Sequence, residues 1–127
     1  MEQTNGCVFC SLDKVELQND SAFAVFDRYP VSPGHMLVIP KRHVQSFFET
    51  TPQEKAALLQ LLEDCRRLLI EKHNPDGFNI GVNDGKAAGQ TVMHLHVHLI
   101  PRYAGDMSDP RGGVRGVIPE KRVYTHR

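Results

Sequence analysis

Net charge is missing from this chain of 127 residues: fifteen basic side chains meet fifteen acidic ones. Without a broad positive field there is no footprint for duplex nucleic acid or an anionic membrane, so any bound phosphate must be gripped locally. Long apolar runs are missing too. No stretch approaches the ~18 residues of a membrane span, and the N-terminal "MEQTNGCVFC" lacks the basic-then-apolar order of a secretory signal, so the chain reads as cytoplasmic, with no membrane partner. Cysteine is sparse and odd in number, three in all, which argues against a disulfide framework in a reducing compartment. Internal repeats and low-complexity tracts are absent, which leaves one domain over residues 1–127, long enough for a single core and too short for two. A Walker phosphate loop is also lacking: three residues separate Gly81 from Gly85 where that motif has four, and Ala87 follows Lys86 in place of Ser or Thr.

What is present alternates between short strands and one long helix. Thr51-Pro52-Gln53-Glu54 has the form of a capping box with proline in the first turn, and Leu58, Leu62, Cys65 and Leu69 follow at helical spacing. Cys65 on that stripe is a small buried apolar residue. The helix is predicted to stop near His73-Asn74, because Pro75 and Gly77 cannot continue it. Strands are predicted over residues 22–27, 35–40, 78–82 and 93–100, with Pro30, Pro33 and Gly34 turning the first into the second. The fold class is therefore α+β, an antiparallel sheet backed by one long helix. Residues 107–127 are rich in glycine and arginine without a period, which predicts a flexible C-terminal tail that gains order only by lying across something.

The segment "MHLHVHLI" puts His94, His96 and His98 at alternate positions. In a strand they share one face, roughly 6–7 Å apart, while Leu95, Val97 and Leu99 face the core. One ion or one phosphate does not easily engage all three, so their tasks differ. Just upstream, "NDGKAAGQT" brings Gly85, Gly89, Gln90 and Thr91 into a loop whose amides and short polar side chains suit a phosphate held without net charge. A neutral imidazole, with an unperturbed pKa near 6.5, is a usable nucleophile toward phosphorus. Cys7-x-x-Cys10 alone fits a redox pair, half a zinc site or chance. His35, His73 and His126 are given no chemistry, the first bracing the sheet and the other two exposed.

His94-Leu-His96-Val-His98-Leu-Ile resembles the His-x-His-x-His signature of the histidine triad family of nucleotide hydrolases and transferases, and the likeness extends through "FDRYPVSPGHMLVIPKRHV", "FNIGVNDG" and "PRYAGD". The resemblance implies a sheet extended across a homodimer and an adenine nucleotide bound on its surface. It also implies cleavage at the α-phosphate through a nucleotidyl-histidine on His96, with His98 contacting the phosphate or leaving group and Gln90 and Thr91 near the scissile bond. Asn83 and Gly89 then border the phosphate, Asp27 meets the ribose, and Val8 and Phe9 line the base slot. Cys7, Cys10, His43 and His94 match positions that hold zinc in some prokaryotic-looking members, a closed set suited to a structural ion. The Gln90-Thr91 pair resembles the dinucleoside polyphosphate hydrolase branch. An adenosine phosphoramidase, and a nucleotide-binding zinc module without useful turnover, are the alternatives.

Overall fold

The computed structural model describes residues 6–12 and 14–124; the reading of His126 falls outside them. Five antiparallel strands, β1 (Leu17–Gln18), β2 (Ala22–Phe26), β3 (Met36–Pro40), β4 (Gly77–Val82) and β5 (Val97–Arg102), form one sheet in the order β1-β2-β3-β5-β4. A single helix, α1 (Pro52–His73), connects β3 to β4. The two-residue β1 has no sequence signal, since a pair of residues carries no period.

Alternation along the strands gives the sheet two unlike faces. Ala22, Ala24, Met36, Val38, Val97 and Leu99 pack against Leu58, Leu61, Cys65 and Leu69 of α1. Each fully buried leucine contributes roughly 1.5–3 kcal/mol. The buried stripe passes through Leu61, and Leu62 is only half-buried beside it. A straight helix drifts against a fixed spacing, and steps of three and four are both needed to follow the sheet. Cys65 is fully buried, and burial pushes its thiol up to about 12, as an inert core residue requires. The opposite face carries Phe23, Val25, Leu37 and Ile39, partly roofed by Phe9 of the N-terminal segment. Beyond that small roof the face is left open as a groove. At the far side of the sheet β4 pairs, among the described residues, only with β5, and Ile80 is 54% exposed there.

Two contacts seat the helix. Gly34, with φ +90°, lets the β2–β3 turn press onto the end of α1, where a Cβ would come within 2.8 Å of Leu69 and 2.9 Å of His73. At the other end Thr51 Oγ1 accepts from the Glu54 amide (3.0 Å), and Glu54 Oε1 accepts from the Thr51 amide (2.8 Å). Arg42, just past β3, donates to both oxygens of the same carboxylate at 2.9 Å. Glu54 thus clamps the helix start to the sheet, and the Arg42 guanidinium holds its carboxyl down at about 2.

Because that folded value lies below the ordinary 4.5, the clamp's contribution is full above pH 4.5 and is lost as pH falls toward 2. Glu54→Gln is expected to cost about 2 kcal/mol in urea unfolding at neutral pH, a loss that shrinks steadily below pH 4.5 to roughly a quarter of that by about pH 2.5. A penalty that does not change with pH would mean the carboxylate's charge is irrelevant to the clamp.

Candidate functional site

The triad histidines do not all lie on one strand. β5 begins at Val97, and residues 92–94 form a bend. Leu95, Val97 and Leu99 still point into the core, as expected. The bend turns the fully buried His94 ring away from the other two. Its Nε2–H donates to the Pro40 carbonyl at 2.8 Å, which leaves Nδ1 with its lone pair. That nitrogen lies 3.4 Å from Cys7 Sγ and 3.5 Å from Cys10 Sγ, while Cys10 Sγ is 3.3 Å from His43 Nδ1.

All four ligand atoms of Cys7, Cys10, His43 and His94 lie within 4.8 Å of one another. Tetrahedral zinc, with bonds of about 2.3 Å to sulfur and about 2.0 Å to nitrogen, separates neighbouring sulfur and nitrogen ligands by about 3.5 Å, so the observed spacing suits such an ion. Burial lowers the pKa of His94, keeping the ring neutral and able to ligate, and raises that of the Cys7 thiol. Two thiolates and two imidazoles complete a tetrahedron and leave no open position for water.

His96 occupies the groove instead. Its Nδ1–H donates to the His94 carbonyl at 2.9 Å, so the Nε2 lone pair is the ring's free edge. Phe9 packs edge-on against it with ring centroids 4.9 Å apart, and His98 lies at 5.2 Å. His98 belongs to a chain of hydrogen bonds. The Val31 amide donates to His35 Nδ1 (3.1 Å), so neutral His35 carries its proton on Nε2 and donates it to His98 Nδ1 (2.9 Å). His98 in turn keeps its proton on Nε2, facing the groove. Asp27 Oδ2 stands 3.5 Å from His35 Nε2. Asp27, His35 and His98 thus converge closely enough to hold a metal, but the two rings meet nitrogen to nitrogen at 2.9 Å with centroids 5.2 Å apart. A proton, not an ion, fills that gap.

His35, given no chemistry in the sequence reading, is therefore the support behind His98. Its signal was available: His35 lies two residues before Leu37 and so shares its face. The groove, about 820 Å³, is lined by Val8, Phe9, Asp27, Asn83, Gly89, Thr91, His96 and His98, which brings together all but one of the residues expected there. Gly89 (φ +94°) closes the turn that carries Thr91 to the rim. Gln90 is the one left out. It is 2% exposed, its Oε1 accepts from the Gly85 amide (2.8 Å), and its Nε2 donates to the Gln45 (3.0 Å) and Val92 (3.2 Å) carbonyls. Its side chain braces the loop from behind.

Comparison with known proteins agrees with this geometry. Residues 11–105 match the HIT domain family. An adenylylsulfatase, HINT3 of Arabidopsis thaliana, is 36% identical over 80% of this chain, which spans 55% of that protein. An AP-4-A phosphorylase of Mycobacterium tuberculosis is 40% identical over 66% of this chain and 44% of its own length. Among solved structures, a zinc-bound histidine triad family protein from Mycobacterium smegmatis superposes with TM-score 0.73 at 35% identity, covering 82% of this chain and 80% of that one. A HIT family protein from Bacillus anthracis gives 0.75 at 31%, covering 94% and 91%.

Burial, with the neighbouring His96 and His35, pushes His98 down to about 4. The unfolded ring takes its proton near 6.5, so this term in stability is full above that value and drains as pH falls toward 4. In an NMR titration the His98 Cε1–H resonance is expected to stay flat from about pH 8 to about 5.5. A midpoint near the unperturbed value would show that the relay does not hold the ring neutral.

Proposed function

The chain belongs to the histidine triad (HIT) family, and from that premise we propose that it cleaves adenine dinucleoside polyphosphates at the α-phosphate through a nucleotidyl intermediate on His96 Nε2. The observation that carries the reading is the 2.9 Å bond from His96 Nδ1–H to the His94 carbonyl, which fixes the tautomer a nucleophile needs. Attack forms a phosphorus–nitrogen bond and breaks the anhydride phosphorus–oxygen bond, whose electron pair leaves with the polyphosphate. Water then attacks the same phosphorus, the pair returns to Nε2, and the water proton passes to solvent.

His98 supports an anhydride over a phosphoramidate. Held neutral, it offers a hydrogen bond to the phosphate but no readily transferable proton. A polyphosphate departs as an anion without one; an amine does not. The relatives named AP-4-A phosphorylase and adenylylsulfatase fit the same preference. In this reading Asn83, Gly89 and Thr91 border the phosphates, Asp27 accepts from the ribose hydroxyls, and Val8 and Phe9 flank the base. Gln90 is a positioning residue, acting through the loop it braces.

Zinc at Cys7, Cys10, His43 and His94 supplies structure when bound, fastening the N-terminal segment to the sheet. The reaction uses none of its coordination positions.

His96→Ala is expected to lower turnover of diadenosine tetraphosphate at least about a thousandfold while leaving AMP affinity within a few-fold, since a nucleophile acts mainly in the transition state. A panel including adenosine phosphoramidate checks the class: faster cleavage of the amide than of the anhydride would reverse the leaving-group argument. For the metal, elemental analysis is expected to find about one zinc per chain, lost in Cys10→Ser together with thermal stability. Ligands must shed their protons to bind, so zinc retention should fall as pH drops below about 6. Unchanged zinc in Cys10→Ser would remove that ligand set.

A further inference from the structure

The floor of the groove can be followed strand by strand away from the chemistry. His98 pairs with Leu37, Leu37 pairs with Val25, and the segment carrying Glu16 comes next, held by its amide's 2.9 Å bond to the Ala24 carbonyl. Three strand spacings separate the ends, about 14 Å between Cα atoms.

Leu12, Val25 and Leu37 make this end of the groove apolar, yet Glu16 lines it with its side chain only 19% exposed. Its ion-pair neighbour Lys14 is 86% exposed and stands 3.7 Å away, beyond hydrogen-bond length. Among the described residues the carboxylate therefore retains acceptor capacity toward the groove. The two imidazoles that can meet a phosphate, His96 and His98, stand at one end and the Glu16 carboxylate at the other, which sets the ligand's direction: phosphate at His96 and His98, base at Glu16.

Resting on the nucleotide reading above, we propose that Glu16 reads the base, accepting a hydrogen bond from the 6-amino group of adenine and turning away 6-oxo purines whose carbonyl lone pairs would face the carboxylate. Discrimination then comes from attraction to one edge and repulsion of the other. A partly exposed charge-assisted bond supports roughly tenfold preference, well short of a sealed site.

Calorimetric binding of AMP, IMP and GMP to the wild-type protein, Glu16→Ala and Glu16→Gln tests this, with zinc content and melting temperature confirming intact fold. AMP is expected to bind the wild type about tenfold more tightly than IMP, with the ratio falling to within about twofold in Glu16→Ala. Glu16→Gln should gain IMP affinity, because an amide can donate to the 6-oxo group. An AMP-to-IMP ratio unchanged by Glu16→Ala overturns the inference and leaves the proposed function standing. GMP binding more tightly than AMP overturns the 6-amino assignment. Failure of all three nucleotides to bind the wild type overturns the nucleotide reading itself.

Discussion

The hydrogen bond from His96 Nδ1 to the His94 carbonyl is the constraint on which the site turns. Its acceptor is fixed because His94 is held on both sides, by Pro40 through Nε2 and by the Cys7–Cys10–His43 cluster through Nδ1. A residue so anchored presents its carbonyl at one place only. The tautomer of His96 is then a consequence of the backbone, and Nε2 keeps its lone pair with no adjacent base to prepare it. In a balanced chain this matters, since no surrounding excess of charge is available to orient an imidazole.

His98 is governed by the same logic from the opposite direction. A backbone amide, that of Val31, determines where the His35 proton lies, and His35 determines where the His98 proton lies. Both groove imidazoles are thus set by main-chain groups, one through a carbonyl and one through an amide. The result is complementary: His96 offers a lone pair and His98 offers an N–H. In the proposed reaction one attacks phosphorus and the other holds its oxygens, which is the division a phosphoryl-transfer site requires.

The sequence makes the helix legible because its signals are local. The capping box at Thr51 and Glu54, and the stop at Asn74 with φ +48°, are decided by residues within a few positions of one another. The triad strand was overextended for the converse reason. Alternating histidines and aliphatics have the period of a strand whether or not the backbone is one, and the bend at residues 92–94 sets His94 against cysteines more than eighty residues earlier, a contact no local pattern announces. Gln90 shows the same limit within a loop. Thr91 faces the groove and Gln90 does not, and adjacency in sequence cannot say which, since the choice depends on the Gly85 amide and the Gln45 carbonyl. In residues 107–124 composition suggested a flexible tail, while the structure carries short turns at Gly113–Val117 and Pro119–Lys121, with Arg122 donating to the Asp109 and Arg111 carbonyls at 2.7 Å. Arginine's five donors can close a turn that has no hydrophobic period to announce it.

The metal cluster and the groove are less separate than their chemistry suggests. Cys7, Val8, Phe9 and Cys10 are consecutive, folded into a single turn of 3-10 helix over Val8–Cys10. The outer two residues face the His43 and His94 nitrogens; the inner two line the groove, with Phe9 against the His96 ring. A turn this short has almost no independent stability, because it closes few hydrogen bonds for the residues it orders. Its position must come from its ends. Cys7, Cys10, His43 and His94, drawn from three distant parts of the chain, supply that position, and in the proposed zinc site the free energy of metal binding would also place Val8 and Phe9 over the groove. On the proposed reading a structural ion would in this way determine how well a nucleotide is held without touching it, and the sheet face opposite the helix would serve as a binding surface instead of an exposed apolar patch.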